Sequence, residues 1–157
     1  MKIVGIDPGT ARVGVGVIEG SKKTSFKALE YFCIETAKDL AIGERLFEIY
    51  KALDSKLKII RPDLLALESL FFNTNPKTAM SVGRASGAIL LTAIINNIKV
   101  VEYTPLQVKI AITGYGRADK KQVESMVKSS LRLKQIPKPD DISDALAIAL
   151  CAGYSIL

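Results

Sequence analysis

The hydrophobic period changes after residue 34, and that change constrains the fold more than any other feature of the chain. Up to that point, apolar residues alternate as they do in half-buried strands. Beyond it they recur at helical spacing. Residues 2–7 read as a central strand, Pro8-Gly9-Thr10 as a turn, and residues 12–18 as the returning arm of a hairpin. A turn at residues 20–23 leads to a third strand over residues 25–34, which completes an antiparallel meander. Gly14 and Gly16 in the middle strand leave room for another backbone to approach. Leu40, Gly43, Leu46, Phe47, Tyr50, Leu53, Leu57 and Ile60 then mark a helix that stops at Arg61-Pro62-Asp63, ahead of the strand at residues 64–68. A helix over 77–96, a strand over 100–103, helices near 105–112 and 119–133, and a last helix over 141–154 follow.

Three strands in a meander and two more reached through helices predict an α/β fold. It is a five-stranded mixed sheet flanked by helices, the ribonuclease-H-like arrangement. The whole chain, 1–157, reads as one domain, because 48% hydrophobic content supports one core and no composition shift divides it. This order brings the C-terminal ends of the first and fourth strands together. Asp7 and Glu68, which close those strands, therefore meet at one edge of the sheet.

Carboxylates are expensive in apolar surroundings without a partner, and no Lys or Arg stands near these acids in sequence as an evident counter-ion. Asp141 and Asp144 open the most apolar helix and, three residues apart, share a face that Ala145, Ile148 and Ala152 continue. Each acid has an ordinary explanation: Asp141 and Asp144 as first-turn capping groups, Asp7 in a turn, Glu68 at a strand edge. The coincidence of all of them at convergent positions favours a site. The chain has no His, and Cys33 and Cys151 are far apart, so a zinc ligand set, a Ser-His-Asp triad and a histidine base are excluded. Oxygen ligands alone point to Mg²⁺, with Mn²⁺ as a substitute. Two such ions can clamp the attacking and leaving oxygens of a phosphodiester, so no side-chain nucleophile is required.

The remaining composition bears on partners and location. Twenty-two Lys and Arg against 16 Asp and Glu give a net charge of +6 and a pI near 9.3, which suits a polyanionic partner and equally suits solubility. Neither a signal-peptide pattern nor a membrane-length apolar run is evident, so a cytoplasmic protein without membrane association is expected.

Taken together, Gly5-Ile-Asp-Pro-Gly-Thr10 with Gly14 and Gly16, Leu67-Glu68 before Phe71, Gln107-Val-Lys109, and Asp141-Ile-Ser-Asp-Ala-Leu-Ala147 resemble the bacterial RuvC Holliday-junction resolvases in order and spacing, nearly end to end. The resemblance implies a homodimeric, Mg²⁺-dependent crossover junction endodeoxyribonuclease that nicks two opposed strands of a four-way DNA junction and leaves 5′-phosphates. It assigns Asp7, Glu68, Asp141 and Asp144 as catalytic, metal-binding acids, although some members of that family carry His at the position of Asp141. Lys109 and Lys120 match family lysines that meet the DNA backbone, where a solvated helix face is the plainer alternative. Lys121 belongs to the same basic stretch. Phe71 matches an aromatic that enters the strand exchange point; its neighbour Phe72 reads more simply as a loop anchor. Arg84 lies on the helix through which the family dimerises and could serve that interface or the DNA. A branch-migration helicase complex of RuvA and RuvB is the further partner implied. Two other readings stay open: an actin-like phosphotransfer domain using Asp-Pro-Gly-Thr, and a junction-binding protein without catalysis.

Overall fold

The last helix of the chain lies so close to the sheet that side chains are excluded from the strands beneath it, and this contact sets the geometry of everything at that end of the molecule. The computed structural model describes residues 1–21, 23–69 and 76–156. Strands β1 (Lys2–Asp7), β2 (Arg12–Ser21) and β3 (Ser25–Glu35) form the antiparallel meander. Helix α1 (Ile42–Ile60) crosses to β4 (Leu64–Glu68), which runs parallel to β1, and α2 (Pro76–Ile95) crosses to β5 (Lys99–Tyr103), parallel to β4. The sheet order is β3-β2-β1-β4-β5. Helices α3 (Pro105–Thr113), α4 (Lys120–Ser130) and α5 (Asp140–Ile156) follow. The expected α/β architecture and five-stranded mixed sheet are therefore observed.

Strand alternation divides the interior into two cores. Val4, Ile6, Val13, Val15, Val17, Leu65 and Leu67 face α1 and α2, whereas Ile3, Ile18, Leu64 and Ala66 face α5, with α3 and α4 beyond it. The pairing of β2 with β3 shifts register at Val17/Ile18, where Leu29 is the extra residue. As a result β3 offers Phe26 and Ala28 to the α5 side and Phe32 and Ile34 to the α1 side. Period-two alternation could not have anticipated this reversal of sides.

Helix α5 is buried almost all round, with Ala145 to Ala152 each 1% exposed or less. Such a helix needs neighbours on every side, and on the sheet side it takes backbone as its neighbour. A Cβ added to Gly5 would lie 2.1 Å from the Ala145 carbonyl oxygen, one on Gly14 would lie 1.9 Å from that of Asp141, and one on Gly16 would lie 2.7 Å from Leu146 Cδ2. Gly5 pairs with Gly16 across the strands, and Asp7 with Gly14. The glycines thus form a bare track on which α5 rests, and Asp141 sits over the residue opposite Asp7.

Helix α1 differs from its expected face, and α2 leaves an apolar face outward. In α1 the buried positions are Ile49, Leu53, Leu57 and Ile60, while Phe47 is 58% exposed and stacks on Tyr50 at the surface. In α2, Ser86 is buried and Leu90 packs on the core. The residues turned outward include Met80, Arg84, Gly87, Leu91 and Ile94, spaced four and three apart in alternation, with Ile95 beside them.

The tightness of the α5 seat makes Gly14 intolerant of side chains. Gly14→Ala is expected to lower unfolding free energy by about 1–3 kcal/mol, the usual range for overpacking, as read from urea denaturation. A change of less than about 0.5 kcal/mol would show that α5 can lift without penalty.

Candidate active site

Four carboxylates reach one end of the sheet from three separate elements. The parallel register sets Ile6 beside Leu67, which puts the next residues, Asp7 and Glu68, side by side at the strand ends. Gly14 holds the start of α5 over Asp7, as described, so that Asp141 in the first turn of that helix and Asp144 just beyond it reach the same end. All four acids are half-buried. Glu68 and Asp144 line one cavity of about 200 Å³ together with Lys109, Lys120, Val108 and Val123.

Lys120 is delivered by its own helix start. Asp119 caps α4 by accepting from the Gln122 backbone N–H at 2.9 Å, and Gln122 Oε1 accepts from the Asp119 N–H at 2.8 Å. Lys120 is therefore the first helical residue of α4 and projects towards the start of α5. Its ammonium donates to Asp140 Oδ2 at 2.5 Å and to Asp144 Oδ2 at 2.9 Å. Arg12, at the start of β2, brings Nε within 3.4 Å of Asp141 Oδ2. That approach has the range of an ion pair without the direction of a hydrogen bond, and the buried Asp141 Oδ2 has no hydrogen-bond partner. The absence of local counter-ions in the sequence is thus corrected by two distant ones. Among the described residues, Asp7 and Glu68 have no ion pair.

The electrostatics follow from this arrangement. Burial, then repulsion by Glu68, Asp144 and Asp141, pushes the Asp7 carboxyl up to about 8 despite Lys120 nearby. Burial and Asp144 likewise raise Glu68. Burial raises Asp144 too, against the lowering pull of its hydrogen bond from Lys120. Burial disfavours the charge on Lys120, but the hydrogen bonds to Asp140 and Asp144 prevail and hold it charged above the ordinary lysine range. Asp140 is lowered by the same ammonium.

These residues fit a hard divalent cation. The donors are all oxygens, one inner carboxylate oxygen lacks a hydrogen bond, and burial followed by the neighbouring carboxylates raises the Asp7 carboxyl. Among the described residues no three acids close to coordination spacing.

The other expected residues are distributed as follows. Lys109 lies in the same cavity as Glu68 and Asp144. Lys121 turns away from the acids and lines a separate cavity of about 450 Å³ with Tyr115, Gln122 and Met126. Arg84 is on the exposed face of α2. Phe71 and Phe72 lie outside the described residues. Arg12 and Asp140 were not singled out in the sequence. Adjacency to Asp141 was a signal for Asp140, but nothing local distinguished Arg12.

A sheet of this topology carrying acids at the ends of β1 and β4 and at the start of α5 defines an α/β domain of the ribonuclease-H-like class. The family model for "Crossover junction endodeoxyribonuclease RuvC" matches residues 3–152. A curated relative of that description from Caldicellulosiruptor saccharolyticus is 52% identical over 96% of this chain and 91% of its own length. One from Alkaliphilus metalliredigens is 51% identical over 99% and 94%. The solved structure of Thermus thermophilus RuvC in complex with Holliday junction substrate superposes with a TM-score of 0.94 at 35% identity, covering 99% of this chain and 94% of that one. The yeast mitochondrial Holliday junction resolvase Ydc2, at 11% identity and a TM-score of 0.70, shares the fold. The chain belongs to the crossover junction endodeoxyribonuclease RuvC family.

The raised Asp7 carboxyl has a consequence for stability. Below about pH 4 it is protonated in both the folded and the unfolded chain. As pH rises towards 8 the unfolded chain releases that proton and the folded one retains it, so stability is progressively lost over this window. In EDTA, the melting temperature is expected to fall between pH 5 and pH 8. Asp7→Asn should flatten that fall and melt at least about 2 °C higher than the parent at pH 8. Identical pH profiles for the two proteins would contradict the burial of Asp7.

Proposed function

We propose that this chain is a crossover junction endodeoxyribonuclease that resolves Holliday junctions in DNA recombination and repair, acting over 1–157 as one nuclease domain. The observation that carries this reading is the convergence of Asp7, Glu68, Asp141 and Asp144 around Lys109 and Lys120 in a chain of this family. A side-chain nucleophile is not needed, which is consistent with the lack of histidine. The four acids would hold two Mg²⁺, or Mn²⁺ in their place. When bound, these ions supply Lewis acidity for attack by water and stabilise the departing 3′ oxygen, leaving a 5′-phosphate.

The chain's own groups prepare that chemistry. Asp7 and Glu68, half-buried and only partly offset by Lys120, favour a cation because it lets them ionise. Lys120, held charged at the mouth of the site, and Lys109, in the same cavity, are suited to receive the oxygens of the scissile phosphate. The α5 seat keeps Asp141 and Asp144 over the strand ends, so the acidic end of the site is preorganised rather than gathered by substrate. Phe71 is the candidate for entering the junction, with Phe72, Arg84 and Lys121 as further DNA contacts. The cytoplasm is the location assigned, where the DNA substrate lies. RuvA and RuvB are the partners that the family resemblance implies.

A homodimer is supported by the outward face of α2. Met80, Leu91 and Ile94 are 62%, 59% and 64% exposed and, with Arg84 and Gly87, form a seam at the alternating spacing that pairs helices. Two-fold pairing would present two equivalent sites to two opposed strands.

Two experiments test these proposals. With a labelled mobile four-way junction in Mg²⁺, Asp7→Asn is expected to retain junction binding and lose at least about 10³-fold in cleavage; cleavage retained by this variant rejects the metal-nuclease reading. Leu91→Asp is expected to produce a monomer by light scattering and to turn paired resolution into single nicks. A dimer that survives the substitution would place the interface elsewhere.

A further inference from the structure

Asp140 lies one residue ahead of the acids just described, and its side chain is 45% exposed. It nevertheless accepts from the Lys120 ammonium, as Asp144 does. The Lys120 ammonium therefore bridges an acid inside the site and an acid at its rim. The two carboxylates are not equivalent partners: Asp144 is the more buried, at 34% side-chain exposure, and its carboxyl is raised, whereas Asp140 is lowered. A cation that takes Asp144 competes with Lys120 for it. It leaves the Asp140 contact intact.

We infer that Asp140 is a positioning residue, an anchor that retains the Lys120 ammonium at the rim of the active site when a divalent cation occupies Asp144. The inference rests on the proposed function and adds a division of labour within it. Without the anchor, Lys120 would have two alternatives: to remain on Asp144 and oppose the cation, or to swing into solvent on its flexible stem. Either outcome removes the charge from the place where a scissile phosphate needs it. Two further features favour the anchor. Lys120 is the first residue of α4, so the Asp119 cap fixes where its side chain starts, and Asp140 is fixed by the first turn of α5, where its carbonyl accepts from Ser143 Oγ at 2.9 Å. The distance between the two attachment points is thus a property of how α4 packs on α5.

The plain alternative is that Asp140 only complements the amino end of α5. That role predicts a lower melting temperature for Asp140→Asn and no effect that depends on Lys120.

The test combines Asp140→Asn, Asp140→Glu, Lys120→Met and the Asp140→Asn/Lys120→Met double variant, with two readouts. In junction cleavage, Asp140→Asn is expected to lower kcat about tenfold with KM within about twofold of the parent, Asp140→Glu to recover most of that loss, and Asp140→Asn to have no further effect in the Lys120→Met background. In calorimetric titration of the DNA-free protein with Mg²⁺, Asp140→Asn is expected to weaken uptake about threefold to tenfold and Lys120→Met to tighten it. Equal losses from Asp140→Asn with and without Lys120, or unchanged Mg²⁺ uptake, would overturn the anchor. Cleavage absent from the parent protein would sink the proposed function instead, and the Mg²⁺ titration, which needs no turnover, would still decide the role of Asp140.

Discussion

The structure depends on one close contact, that of helix α5 against a track of glycines. With Gly5, Gly14 and Gly16 bare, the Ala145 and Asp141 carbonyls come within about 2 Å of where a Cβ would stand, so the helix lies on the strands themselves rather than on a layer of side chains. The usual spacing between a helix and a sheet would lift the first turn of α5 away from the strand ends. The acids on that turn would then be separated from Asp7 and Glu68. Packing and site geometry are in this sense the same fact: the helix buried most completely is the one that carries half of the carboxylates.

That proximity works against folding and in favour of binding. Four acids drawn together in a half-buried place raise one another's proton affinity, Asp7 most of all, and among the described residues Lys120 and Arg12 are the cations within ion-pair range of any of them. A site of this kind stores electrostatic repulsion that bound positive charge would relieve. The lysine nearest the acids then has two aspects. It partly neutralises Asp144, and it is held ready at the rim by Asp140.

Much of this was legible in the sequence because it rests on local periodicity and on the expense of burying charge. The switch from period two to helical spacing marked the meander and the crossovers, and the apolar runs ending in Asp7 and Glu68 marked the strand ends. Gly14 and Gly16 signalled a close approach, although not which element makes it. Other features were invisible because they depend on pairing at long range. The extra residue Leu29, which reverses the faces of β3, shows only in the register with β2. The outward seam of α2 and the exposure of Phe47 emerge only when the sheet has chosen its side of each helix.

The sequence by itself determined the element types, their order and the identity of the acids, since strand alternation, helical spacing and the desolvation of carboxylates are properties of short segments. Tertiary structure decided which cation meets which acid. Lys120 and Asp140 are joined across 20 residues by the packing of α4 on α5, and Arg12, at the start of β2, reaches Asp141 on α5. No local pattern encodes such meetings, because electrostatic partnership is a matter of distance in space, and that distance exists only after the chain has folded.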